Sequence, residues 1–441
     1  MNDILAGHFR KLSPITQGLL VFVICNLVLN LVLALVLRKN GTFTGIDNTN
    51  FFLSFSAPHN DSWEPMFKAL EYLRTNHEVP IYSQLFFNDR VKFQYPLTSL
   101  LPLQLLEQFT SQHQAQFDIL QFLSWIAIIT TAIFAISVFN INSNHFLSQQ
   151  FSKVSRLENF VRLLILLSLC LMFYPLIKAY SLGQVQVFIN CFFTLAVWFW
   201  IQRKEHIAGI LIGLVILLKP QYLLIAVWAM LRKRFSFSIS LFVVFLSGLL
   251  CSFFLFGISN NLDYLRVLQF ISRTGESFYP NQSMNGLLNR LLFNGNNLQW
   301  EPHLFAPFNP IVYAGTLLSS ALLILGAFFL VRKNLRGSVT DFMIITLSCT
   351  IASPVAWEHH YGILLVIFAF LLSHLLPGQP SFSIRSMAFF VLAYTLASNY
   401  LPIFNRVANV PVLNIVQSYL FIAALIVLVF LYGSRDEQVS T

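Results

Sequence analysis

Long apolar runs separated by short polar junctions repeat along most of the chain. They lie at roughly 16–37, 117–139, 160–178, 185–201, 206–219, 221–232, 236–257, 310–331, 340–355, 361–376, 385–401 and 412–432. Several approach the ~20 apolar residues that a helix needs to cross a bilayer. Because backbone polar groups must be satisfied inside the hydrocarbon, the pattern predicts an all-α integral membrane protein of about twelve spans. The whole of residues 1–441 is read as one membrane domain. Residues 206–219 and 221–232 are short for full spans, and predict tilted helices or a broken re-entrant pair meeting at Lys219-Pro220. Residues 93–109, FQYPLTSLLPLQLLEQF, hold two prolines and predict an interfacial or re-entrant segment, with a true span as the alternative. Residues 16–37 are too long and too apolar for a signal-peptide core, and no small-residue cleavage site follows. An uncleaved first span is expected.

One polar stretch interrupts this monotony. Asn60–Leu73, NDSWEPMFKALEYL, sets Asp61 and Glu64 one turn apart. Behind them Trp63, Met66, Phe67, Leu70 and Leu73 recur at helical spacing,. Pro65 suits a first helical turn, where its missing N–H costs nothing. The stretch predicts an amphipathic helix lying on the membrane surface with carboxylates at its N-terminal end. An acidic cap on a surface helix is the plainer alternative.

Composition sharpens the class. Of 441 residues, 56% are hydrophobic and 10% charged, and mean hydropathy is +0.68. Soluble domains carry about 25% charged residues. A net charge of +9 would suggest nucleic acid in a soluble protein. Here the cations cluster at run ends: Lys153, Arg156 and Arg162; Arg203 and Lys204; Arg232-Lys233-Arg234; Arg332, Lys333 and Arg336; Arg385. With the N-terminus inside and 93–109 not crossing, all of these fall on the cytoplasmic side, with Arg38 and Lys39 as exceptions. Membrane lipids, not nucleic acid, are the expected surroundings. The five cysteines lie inside apolar runs without a CxxC, so neither disulfides nor a metal site is expected,.

This topology puts loops 38–116 and 258–309 outside the cell and the tail 433–441 inside. It also brings junctions Ser181–Gln184, Lys219–Gln221 and Trp357–His360 to the outer face. The unusual polar residues thus converge on one side. Asp61 or Glu64 can take a proton from a hydroxyl. Tyr95, held extended before Pro96, can stack on a sugar or anchor at the interface. Gln184, followed by Gln186 and Asn190, can bond a hydroxyl or a phosphate oxygen. Lys219 near membrane depth has phosphate as its natural counter-ion, with snorkelling as the alternative. Asn281 and Ser283 are ligand groups or helix caps. In Ser353–Tyr361, SPVAWEHHY, Trp357 suits an interface or a sugar face. His359 and His360 would point about 100° apart on a helix, a poor pair of metal ligands, but one can bind or protonate a phosphate.

Taken in order, these tracts resemble glycosyltransferase family 87. They are the loop aspartate 61, F-x-Y-P at 93–96, L-G-Q-V at 182–185, A-G-x-L-I-G-L-x-x-x-L-K-P at 208–220, N-Q-S-x-N-G at 281–286 and S-P-x-x-W-x-H-H at 353–360. The resemblance runs from about residue 55 to 375. It implies a multi-span GT-C-type fold with an extracytoplasmic active site in a bacterial cytoplasmic membrane. It implies inverting, metal-independent transfer of mannose or another hexose from a polyprenyl-phosphate donor to a lipid or glycan acceptor, without a cofactor. Asp61 then corresponds to the family's loop aspartate, His359 or His360 to its active-site histidine, and Lys219 and Gln184 to recurrent positions. Lys219 and one histidine would stabilise the leaving phosphate, while Trp63, Tyr95 and Trp357 shape the sugar and prenyl pockets. Members commonly read Asp-Phe followed by tyrosines, whereas this chain reads Asp-Ser-Trp-Glu-Pro, which leaves both Asp61 and Glu64 open as the base. A transporter or lipid flippase is the alternative, compatible with a broken helix at Lys219-Pro220. A non-catalytic subunit of a glycan-assembly complex is the third reading.

Overall fold

The computed structural model of the protein describes residues 12–38, 45–75, 78–150, 156–375 and 383–434. Lys39, Lys153 and the tail beyond 434 lie outside the described residues. Among the described residues the chain is helical throughout, with no strand. The α-helices are α1 (Pro14–Arg38), α2 (Gly45–Leu53), α3 (Trp63–Thr75), α4 (Leu101–Phe109), α5 (His113–Gln150) and α6 (Arg156–Leu171). They continue with α7 (Tyr174–Ser181), α8 (Gln186–Ile201), α9 (Glu205–Leu218), α10 (Leu224–Leu231), α11 (Phe235–Phe256) and α12 (Ile258–Thr274). The last are α13 (Met284–Leu291), α14 (Pro310–Phe329), α15 (Val339–Ile351), α16 (Leu364–Leu375), α17 (Ile384–Ser398) and α18 (Tyr419–Gly433).

The protein is a multi-span helical membrane protein. Six helical stretches are long and apolar enough to cross a bilayer, or seven if α6 and α7, bent by 55°, form one span. The other apolar runs give shorter helices: α8, α9, α15, α17 and Pro220–Leu231. Full length is thus reached by about half of the twelve expected spans,. On α11, Ile239, Val243, Leu250 and Phe254 are exposed along one face. Such a stripe suits contact with lipid tails rather than water.

Local chemistry sets the breaks. Pro220 has no N–H to continue α9 and disfavours helical geometry at the residue before it. Lys219 is accordingly extended, at φ −142° and ψ 98°. The expected meeting of two short helices at Lys219-Pro220 is what forms. Residues 97–109 fold into a short 3-10 turn followed by α4, and no helix in 93–109 is long enough to cross. Pro65 falls in the first turn of α3, as its spacing predicts. The apolar face of α3 does not lie on lipid, however. Trp63, Met66, Phe67 and Leu70 are buried against protein, with Phe67 against His113 and Phe117 and Trp63 against Phe188. The amphipathic pattern was legible, but the surface that it covers is the bundle itself.

The two ends of the bundle differ in chemistry. At one end Arg234 binds Glu205 at 3.0 Å and the Gly337 carbonyl at 2.6 Å. Arg232 pairs there with buried Asp341 at 2.6 Å. The basic junctions after α8, α10 and α14 therefore meet one another. Following α8, α9 and α15 to their other ends leads to Gln184, Lys219 and the 353–360 junction.

Candidate functional site

The site begins where the first loop lies along the α7–α8 junction. His59 N–H donates to the Ser181 carbonyl at 3.0 Å, Asp61 N–H to Leu182 at 3.0 Å and Ser62 N–H to Gly183 at 3.3 Å. Gly183 has φ +64°, and a Cβ there would land on the His59 carbonyl oxygen. Only glycine allows both the left-handed turn and the close approach. The Ser62 hydroxyl donates to Gln184 Oε1 at 2.7 Å and accepts from Val185 N–H at 3.1 Å. The Tyr95 hydroxyl donates to the same Oε1 at 3.1 Å. With its oxygen so engaged, the Gln184 amide meets the Asp61 carboxylate through a hydrogen bond.

Asp61 stays accessible at the rim. The protein around its carboxyl nevertheless excludes enough water to raise its pKa above the usual aspartate range,. His59, the Gln184 hydrogen bond and Lys178 pull it partly back. Burial likewise pushes the Tyr95 hydroxyl to about 12, so it remains a donor. Glu64, one turn on, is exposed and pairs with Lys68 at 2.9 Å.

Lys178, half-buried on α7, lies within electrostatic reach of Asp61, Glu358 and His359. Glu358 is buried and accepts from the Tyr174 hydroxyl at 2.8 Å and the Tyr419 hydroxyl at 2.9 Å. His359 and His360 follow it in a 3-10 turn, Glu358–Ile363, with ring planes 87° apart and centroids separated by 4.8 Å. Gly362 permits that turn to lie against α8, because a Cβ there would land on the Asn190 amide. Lys219 acts electrostatically on both histidines. Its Nζ donates to Gln186 Oε1 at 2.7 Å, and Gln186 Nε2 donates to Asn190 Oδ1 at 2.9 Å. Both imidazoles are nearly buried, and among the described residues neither is hydrogen-bonded.

The second loop frames this turn. Asn281 and Trp357 form an isolated antiparallel bridge. Gln282 N–H donates to Ala356 at 2.7 Å and Glu358 N–H to Pro280 at 3.1 Å. The Asn281 side chain accepts from Ala356 N–H at 2.9 Å and donates to the Glu276 and Pro354 carbonyls at 2.8 and 3.1 Å. Ser283 caps α13, accepting from Gly286 N–H at 3.1 Å. Asn281 therefore holds the histidine junction through its backbone. Trp357 is half-buried.

Asp61, Gln184, Tyr95, Lys219, His359 and His360 are thus gathered around one end of the bundle, with Glu64 turned to solvent and Asn281 spent on loop structure. Sequence reasoning missed Lys178. It stands at the edge of an apolar run, and its signal was a lone lysine one turn before the Ser181–Gln184 junction. Ser62 and the two tyrosines on Glu358 gave no sequence signal. A wholly apolar cleft lies elsewhere, lined by Phe22, Phe139, Leu169, Phe368, Phe390 and Tyr394. It holds none of this chemistry. Among the described residues no group of three or more His, Cys, Asp or Glu side chains is placed to hold a metal ion.

Fold and site together define a polytopic membrane protein with an acid–base and cation cluster at one end of its bundle. The model of glycosyltransferase family 87 matches residues 93–354, more than half of the chain, and the chain belongs to that family. The matched stretch includes Tyr95, Lys178, Gln184, Lys219 and Asn281, while Asp61, His359 and His360 flank it. No curated protein matches the chain. It is a membrane glycosyltransferase.

Proposed function

We propose that this glycosyltransferase takes a hexose from a polyprenyl-phosphate donor and delivers it to a hydroxyl of a lipid or glycan acceptor at the outer face of a bacterial cytoplasmic membrane. The acceptor oxygen attacks the anomeric carbon as the bond to the phosphate oxygen breaks, and the configuration inverts. Asp61 takes the acceptor proton, its carboxylate oriented by Gln184. Lys178, Lys219 and one of His359 and His360 meet the negative charge growing on the leaving phosphate, where fixed cations are most effective. No metal or other cofactor is required in this scheme.

The observation that carries this reading is the convergence of one accessible carboxylate with two lysines, and with two imidazoles that make no hydrogen bond among the described residues. The basic junctions at the opposite end support an outward-facing site through the positive-inside rule. A lipid-borne donor explains why such a site sits in membrane helices. Membership of a glycosyltransferase family favours transfer over transport.

The test is incubation of membranes containing the protein with labelled polyprenyl-phosphate hexoses, followed by extraction of glycolipid and glycan. Label should enter product with the wild type and not with Asp61→Asn. Wild-type turnover by Asp61→Asn removes the base. Absence of product from every hexose donor, with nucleotide sugars supporting transfer instead, removes the lipid donor.

A further inference from the structure

Beside the central cluster, a second group of side chains gathers on the 275–309 loop. The Lys92 ammonium sits 3.7 Å from the ring centroid of Trp300 and 4.4 Å from that of Phe305. It is already engaged, pairing with Glu276 at 3.1 Å and donating to the Glu301 carbonyl at 3.0 Å. Lys92 therefore fixes the indole by a cation–π contact without offering its charge to a ligand. Trp357 packs edge-on against Trp300 at 5.2 Å, and Phe278 lies 5.9 Å away.

Trp300 nonetheless keeps 42% of its surface exposed. An indole held by Lys92 and Trp357 and still this exposed is a preformed plate. The chain around it reads Asn294-Gly295-Asn296-Asn297-Leu298-Gln299-Trp300-Glu301-Pro302-His303. Of its neighbours in the chain, Gln299 is exposed and Glu301 partly so, while the Asn294, Asn296 and Asn297 amides bond within the loop or to the Ala408 carbonyl. An exposed aromatic ring with polar neighbours in the chain is a surface that suits a pyranose, which presents C–H bonds on one face and hydroxyls around its edge. The plate also stands at the threshold of the site, because Trp357 directly precedes Glu358 and His359.

We propose that Trp300, buttressed by Trp357 and Lys92, is a carbohydrate subsite on which a pyranose of the acceptor stacks. This deepens the glycan-acceptor reading above and rests on it. Trp300 is a positioning residue: it holds the sugar next to the one whose hydroxyl reacts, and does not touch the reacting atoms.

The test uses the full-length protein in lipid nanodiscs and the methyl α-glycosides of mannose, glucose and galactose as probes, read by saturation-transfer NMR. Saturation should reach ring protons of at least one glycoside and persist in Asp61→Asn. Loss of one aromatic plate in Trp300→Ala should weaken that affinity about tenfold, and Trp300→Phe should recover part of it. Thermal unfolding of Trp300→Ala at the wild-type temperature shows that the loop is intact. Undiminished saturation in Trp300→Ala, or none with any glycoside in the wild type, overturns the proposal. Quenching of Trp300 fluorescence by lipids labelled near the headgroup, absent from Trp300→Ala, would make it a bilayer anchor and also overturn it. Because binding is read without turnover, failure of the transferase scheme and failure of this subsite are separate results.

Discussion

Gly183 passes so close beneath the carbonyl of His59 that the two backbones leave no room for a side chain between them. Three hydrogen bonds between residues 59–62 and 181–183 run along this crossing. It ties the loop bearing Asp61 to the junction bearing Gln184, and so sets the distance between carboxylate and amide.

Gly183→Ala should therefore damage both fold and site. The left-handed backbone costs an alanine about 1–2 kcal/mol, and the Cβ forces the crossing apart as well. The melting temperature should fall and transfer should be lost. Gly257→Ala is the control. That residue also has positive φ, but nothing lies within 4 Å of its added Cβ. It should show the conformational penalty alone and keep activity per folded molecule.

Asp61→Asn should lower transfer by about 10²–10⁴-fold, the usual contribution of a positioned general base. Glu64→Gln should remain near wild type, since Glu64 faces solvent beside Lys68. Initial rates in membranes carrying equal amounts of each variant decide between the two carboxylates.

The pH profile follows from the Asp61 environment. A base must be ionised to act, and burial raises this carboxyl above the ordinary aspartate range. The acid limb of kcat/KM should accordingly lie above that range. Gln184 stabilises the carboxylate by a hydrogen bond, so Gln184→Leu should move the limb to higher pH. A limb that stays fixed assigns the titration to another group.

Lys178→Met and Lys219→Met should each reduce kcat by about 10²–10³-fold if they meet charge that develops only on the leaving phosphate. A rise in donor KM with unchanged kcat would instead make them ground-state binding groups. Single-turnover rates separate these outcomes.

At the opposite end, Asp341→Ala should cost about 3–5 kcal/mol, because it strands the buried Arg232 guanidinium,. The loss belongs to stability. Transfer per folded molecule should be retained, and thermal unfolding in detergent measures the difference.

Much of this was legible in residues alone, for reasons that differ by element. Apolar run lengths marked α1, α5, α11 and α14, because a bilayer imposes a length on any helix that crosses it. Pro220 marked the break at Lys219, since its missing N–H acts locally. The burial of α3 was not legible. Helical periodicity reports that a face is apolar, not whether lipid or protein covers it. The role of Lys178 is not legible because the carboxylates that act on it, Glu358 and Asp61, are remote in sequence. The sequence around Asn281 suits a ligand group or a cap, and its bonds to the Pro354 and Glu276 carbonyls show how a tertiary contact can consume an amide.

Glu358 receives one hydroxyl from Tyr174 and another from Tyr419, at the start of the final helix. The carboxylate is a clasp between an early and a late part of the polypeptide. During synthesis it stays open until the last hydrophobic segment has left the ribosome and entered the bilayer. A chain cut before α18 would carry Asp61, both lysines and both histidines, yet would present Glu358 with one oxygen unshared. The turn that carries both histidines is thus braced from an early and a late part of the chain, and gains its second brace only with the last hydrophobic segment.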